Sequence, residues 1–204
     1  AYAQFYDLFQ PPLPPPPSSE PDPSLYERSR NLGDYGLAIL RSGKGKYQRA
    51  LTLYYGWAGG GHGHYDRLNI ELFGFGRKLL PDLGYPQFAA DDPEPFGWTQ
   101  HTVSHCTVMV DAQRQYNFNR GKLHRFVHTS WVQFADASAE SVYPDKVDLY
   151  LRQTAMIDLP DGEAFYVVDV FHVQGGKQHD YSLHLPSADV VYRGIHFPEP
   201  RPGT

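Results

Sequence analysis

From residue 36 onward apolar and polar residues alternate in short runs, and glycine, proline or aspartate interrupts each run before a helix could extend. A period of two divides side chains between the two faces of a strand, whereas a helix buries a stripe with a period near 3.6. GLAILR (36–41) and YQRALTLYYG (47–56) read as strands joined by the glycine-containing turn SGKGK. In LNIELFGF (68–75) Leu68, Ile70 and Leu72 alternate against Asn69, Glu71 and Phe73. RKLLPDLG (77–84), HCTVMVD (105–111), KLHRFVHTSWVQFA (122–135), KVDLYLRQTAMIDL (146–159), AFYVVDVFHV (164–173) and DYSLHL (180–185) extend the series, with DGE and QGGKQ as turns. No long helical pattern and no repeat of fixed period occurs. The expected fold class is all-β, an antiparallel β-sandwich of jelly-roll or supersandwich type.

The first 33 residues differ in character. AYAQFYDLFQ (1–10) suits the last turns of a helix, and PPLPPPPSSEPDP (11–23) forbids both helix and central strand. The expected division is a helical tail with an extended proline-rich connector over 1–33, then a sandwich domain over 34–204. Fifteen Tyr and twelve Phe favour pleated surfaces. The formal charge of −5, without a Lys/Arg block, argues against a nucleic-acid partner. No apolar run approaches the length of a membrane span. The single cysteine, Cys106, excludes an intrachain disulfide and leaves the redox compartment open. A start at Ala1 with no visible leader is what a processed or excised piece of a longer protein would show.

The chemistry concentrates in GGGHGHYDR (59–67). His62 and His64, two apart in extended backbone, point to one side, and the flanking glycines admit another group close to the chain. Such a pair supplies two metal ligands, or one ligand and one acid–base group. Asp82 before a turn and His105 at the head of HCTVMVD would complete, with His64, a two-histidine, one-carboxylate set suited to Zn²⁺ with water as fourth ligand. Each residue alone has a plainer reading, as a turn aspartate or a strand histidine. Asp66 could orient an imidazole or form a surface ion pair. Arg67, Arg77 and Lys78 could meet an anion or sit solvated at strand edges, and Tyr65 and Tyr85 could face a ligand or pack in the core.

HGHYDRLNIELFGFGRKLLPDLGYP (62–86) and TVSHCTVMVD (102–111) together resemble the heparinase II/III family of polysaccharide lyases. The likeness extends over most of 34–185. The resemblance implies an (α/α) toroid of helices followed by an antiparallel β-sandwich, with substrate in the cleft between them. It implies cleavage of a uronate-containing polysaccharide, of heparin, heparan sulfate or alginate type, by β-elimination. His64, Asp82 and His105 look like that family's zinc ligands, and His62 like the histidine facing substrate. Arg67, Tyr65 and Tyr85 are weaker candidates for contact with the anionic chain. A periplasmic or extracellular place in a bacterium is the matching expectation. This chain is too short to contain the toroid, so the toroid's catalytic groups are expected elsewhere and the chain alone is expected to be inactive or nearly so. Cys106, where a polar residue is more usual, should point away from His105. Two other readings stay open: a carbohydrate-binding sandwich module, and a cupin-like metalloenzyme, for which Glu71 follows His64 too late.

Overall fold

The computed structural model describes residues 27–57, 63–84, 97–116 and 119–187. Within them the chain forms β1 (Arg30–Leu32), β2 (Leu37–Ser42), β3 (Arg49–Tyr54), β4 (Asn69–Gly74), β5 (Arg77–Leu80) and β6 (Val108–Val110). Then follow β7 (Lys122–His128), β8 (Val132–Ser138), β9 (Val147–Asp158), β10 (Phe165–Gly175) and β11 (His179–Tyr181). Every pairing is antiparallel. One sheet runs β1-β2-β3-β4-β5, a second runs β10-β9-β8-β7, and β11 with β6 makes a short third. The first two are meanders, in which strands consecutive in the chain pair with each other.

The alternation seen in the sequence becomes the sandwich. On β9 Tyr150, Arg152, Thr154 and Met156 are buried, while the residues between them are not. Ala38 and Leu40 of β2, Leu51 and Leu53 of β3, and Ala135 and Ala137 of β8 join Tyr150 and Met156 in one core that spans both large sheets. Burying each leucine contributes about 1.5–3 kcal/mol of transfer free energy. Tyr150 meets Tyr143 and Phe171 edge-on, with ring centroids 5.4 and 4.8 Å away. The sheets are also joined by charge, since buried Arg49 on β3 reaches Asp158 on β9 at 3.0 Å.

Two details depart from the sequence reading. β1 lies ahead of residue 34 and pairs with β2, so the first sheet begins earlier than the expected boundary. The strand expected over 105–111 is confined to Val108–Val110, and the preceding residues Thr102–Ser104 form a 3₁₀ turn that His105 closes. Residues 1–26, which hold the expected helical tail and connector, lie outside the described residues, as do His62 and Tyr85. Among the described residues no helix is long and apolar enough to cross a membrane.

Candidate metal centre

His64, Asp82 and His105 come together at one end of the first sheet, with one possible ligand atom from each lying within 4.8 Å of the others. They arrive from three different segments, each held by backbone chemistry that the local sequence supplies.

His64 ends a loop that enters β4 through Leu68, whose φ of 61° is unusual for a residue with a branched side chain. The turn is fixed from both sides: Leu68 N–H donates to Tyr54 O at 2.6 Å, and Leu68 O accepts from Arg152 at 2.6 Å. Arg67 is fully buried, and its guanidinium donates to His64 O at 2.9 Å and Tyr116 O at 3.3 Å. Gln115 clasps the same residue, accepting from Arg67 N–H at 2.7 Å and donating to Arg67 O at 2.9 Å. The His64 backbone is therefore anchored to a buried polar network.

Asp82 follows β5 in a turn. Its Oδ1 accepts Gly84 N–H at 2.8 Å, an Asx turn, and Gly84 takes a φ of 63°. Its Oδ2 accepts from Asn69 Nδ2 at 3.0 Å and lies 2.7 Å from His105 Nδ1. His105 closes the 3₁₀ turn, donating its backbone N–H to Thr102 O at 3.2 Å. The turn is held locally by Ser104 Oγ, which donates to His101 O at 2.8 Å, and is tied to the His64 loop by Thr102 Oγ1, which donates to Tyr65 O at 2.7 Å.

The electrostatics suit a cation. Burial holds the His64 imidazole below its ordinary pKa, nearby His105 adds to this, and Asp82 opposes it. Burial alone would raise the Asp82 carboxyl, yet the hydrogen bond and charge of His105, with Gly84 N–H, hold it below the usual range. A His64 imidazole held towards its neutral form and an Asp82 carboxyl held towards its ionised form are what metal ligation asks of those two groups. His105 is 1 % exposed, and its Nε2 has no hydrogen-bond partner among the described residues. An imidazole so deeply buried with one nitrogen unbonded has a donor that a metal ion could take up. The rings of His64 and His105 lie 5.2 Å apart, tilted by 43°.

The remaining expected residues divide. Arg67 is not placed to touch a polysaccharide; it is sealed in the interior and holds the His64 loop. Among the described residues Asp66 makes no hydrogen bond to an imidazole. Its Oδ1 lies 3.8 Å from Arg67, and burial above all raises its carboxyl to about 6, with His105 and Arg67 opposing. Glu71 stands outside the three-residue cluster. Arg77 and Lys78 are exposed on β5. Tyr65 carries Arg114 over its ring at 4.4 Å and lines a groove beside the centre. Cys106 is buried, and its Sγ accepts His184 N–H at 3.3 Å.

Three supporting residues escaped the sequence reading. Asn69 bridges the two ligand segments, donating to Asp82 and accepting Cys106 N–H at 2.8 Å. Arg152 donates to the carbonyls of Leu68 and Cys106 and is itself held by Asp169 at 2.7 and 2.9 Å. Gln115 is the third. Arg152 left one signal: a charge in phase with the buried residues of β9.

The family model described as Heparinase II/III-like, C-terminal, matches residues 26–195. An alginate lyase of Stenotrophomonas maltophilia (strain K279a) is 32% identical over 187 residues, covering 82% of this chain and 25% of that protein. An exo-oligoalginate lyase of Saccharophagus degradans is 28% identical over 169 residues, covering 75% of this chain and 23% of that protein. The chain thus spans about a quarter of the length of these curated relatives. Among solved structures, heparinase III superposes with a TM-score of 0.60 at 17% identity, covering 80% of this chain and 25% of that one. The heparan sulfate lyase HepC from Pedobacter heparinus gives 0.57 at 23%, covering 69% and 21%. At these identities the structural likeness is one of fold.

Proposed function

This chain belongs to the heparinase II/III-like family, matching the model of its C-terminal part over most of its length, and on that premise we propose that it is the β-sandwich portion of a polysaccharide lyase with a zinc centre. The observation that carries the reading is the convergence of His64, Asp82 and His105, with the Nε2 of His105 buried and unbonded. Two imidazoles and a carboxylate are a donor set that zinc accepts. Bound there, the metal supplies a rigid, positively charged anchor for the loop that carries His62.

The reaction is β-elimination on a uronate-containing polysaccharide. A base takes the C5 proton, the electron pair forms the C4–C5 double bond, the C4–O bond breaks, and the leaving oxygen receives a proton. The C5 proton is too weakly acidic for a side-chain base unless the charge developing on the uronate carboxylate is stabilised by donors. His62 is assigned to that face, as a donor or proton carrier. The base and acid belong to an N-terminal (α/α) toroid in the longer polypeptide, and an exported, periplasmic or extracellular location fits the substrate. The curated relatives named for alginate favour a carboxylated, unsulfated chain.

Two measurements test this. Purified chain is expected to contain about one zinc per molecule and His64→Ala to contain little; a metal-free chain at neutral pH would remove the centre from the proposal. The chain alone is expected to yield no unsaturated product from alginate or heparan sulfate, and a polypeptide joined to its own upstream coding sequence is expected to yield it. Strong turnover by the chain alone would show that the catalytic groups lie within these residues.

A further inference from the structure

Beside the His64 loop lies a groove of about 760 Å³ whose lining includes Tyr65, His101, Arg114, Tyr116 and Lys146. Its volume is that of a small-molecule site. We propose that this groove is a carboxylated-sugar subsite, which takes one or more uronate units of a linear polysaccharide and grips their carboxylates with Arg114 and Lys146.

Two cations enter this groove from separate segments. Arg114 is exposed and has no carboxylate partner among the described residues. Its guanidinium is stacked on the Tyr65 ring at 4.4 Å, which fixes its plane while leaving its N–H edge able to meet an anion. Lys146 has only a loose contact, 3.8 Å from Asp111 Oδ2. The other oxygen of Asp111 is engaged by the backbone N–H groups of Lys177 and Gln178 at 2.7 and 3.0 Å. Positive charge in the groove therefore exceeds negative. This is the local field that the net charge of −5 conceals.

The rest of the lining suits a sugar. The Tyr116 side chain is 57% exposed and gives an aromatic face, and a tyrosine joins that face to a polar end. His101 Nδ1 accepts Val103 N–H at 3.2 Å, so a neutral ring carries its proton on Nε2 and offers a donor for a hydroxyl or carboxylate oxygen. The groove is built on the metal loop itself. Tyr65 follows His64 directly, its N–H donates to Gln100 O at 3.0 Å, and its carbonyl accepts Thr102 Oγ1 from the turn that leads to His105. A sugar held against Tyr65 would thus lie along the same wall as the centre. The identity of the ligand as a uronan rests on the lyase reading; the location and sign of the site rest on the groove.

The test is titration of the purified, zinc-loaded chain with a mannuronate tetrasaccharide, followed by calorimetry and by amide chemical shifts. A neutral cellotetraose serves as control. Saturable binding of the charged oligosaccharide is expected, weakening with salt, with little binding of the neutral one. Arg114→Gln with Lys146→Gln is expected to weaken it by about tenfold or more, and Tyr116→Ala severalfold. Zinc content and thermal midpoint report that the variants remain folded. Absence of saturable binding, equal binding of the neutral control, or an unchanged constant in the folded double variant would each overturn the proposal. Product formation by the longer polypeptide is a separate readout. Product without binding here would place the substrate path elsewhere, and binding without product would remove the lyase reading alone.

Discussion

Asn69 joins Asp82 to the segment that carries His105: its Nδ2 donates to Asp82 Oδ2 at 3.0 Å and its Oδ1 accepts Cys106 N–H at 2.8 Å. One buried amide thereby sets the distance between two ligands from different parts of the chain. Outer groups of this kind orient ligands, and their loss costs about 10–100-fold in metal affinity. Asn69→Leu is accordingly expected to weaken zinc by that factor in competition with a chromophoric chelator. It should also destabilise the metal-free chain by about 1–3 kcal/mol, because Cys106 N–H loses its acceptor. An unchanged zinc constant would show that the ligands are positioned without the bridge.

Arg67 separates a structural role from a substrate role. Its guanidinium is fully buried, bonded to His64 O and Tyr116 O, and 3.8 Å from Asp66. Replacing it with Met removes the guanidinium 3.8 Å from Asp66 and its hydrogen bonds to His64 O and Tyr116 O, a loss of about 3–5 kcal/mol for a buried charge partner. Urea unfolding of Arg67→Met should show this loss. In the longer polypeptide KM for substrate should stay near that of the parent while the folded fraction falls. A raised KM with unchanged stability would return Arg67 to the substrate.

Much of the sandwich was legible because alternation is a direct record of burial. Tyr150, Thr154 and Met156 share one face of β9 in sequence and in space. The convergence of His64, Asp82 and His105 was legible for another reason, a motif likeness that spans all three. The neighbourhood that holds them was not. Alternation places Asn69 on a polar face, yet Leu68, Asn69 and Ile70 are all buried, because both faces of that strand end are covered and Leu68 turns the chain with a positive φ. HCTVMVD has strand-like composition, but Thr102 and Ser104 satisfy nearby carbonyls and curl the backbone ahead of His105. Side-chain bonds to the main chain override β propensity there, and composition does not record them.

Glu71 gives a prediction in pH. Burial raises its carboxyl above the ordinary value, Asp82 adds to this, and Lys78 and His105 oppose. Between the unfolded and folded pKa the folded chain binds more protons, so stability falls as pH rises through that window and stays lower above it. Glu71→Gln removes the cost. In metal-free protein the variant should be more stable than the parent at pH 7, and the gain should vanish below the ordinary carboxyl range near pH 4. Thermal melts at the two pH values measure it; a gain that persists in acid would place the effect in packing instead.

Arg152 ties the segments that carry His64 and His105 to the second sheet. From β9 it donates to Leu68 O, beyond the His64 loop, and to Cys106 O, next to His105, while Asp169 on β10 holds it at 2.7 and 2.9 Å and Tyr181 at 3.0 Å. Arg152→Met is expected to cost about 3–5 kcal/mol, much of it from Asp169 left charged and half-enclosed. Adding Asp169→Leu removes that stranded charge, so the double variant should be more stable than Arg152→Met alone. The two carbonyls stay without their donor in both variants, so zinc affinity should remain reduced even where stability recovers. A thermodynamic cycle over the two positions, read once by unfolding and once by zinc competition, separates these effects. Recovery of both quantities together would mean that Arg152 acts on the centre only through Asp169, and not through Leu68 and Cys106.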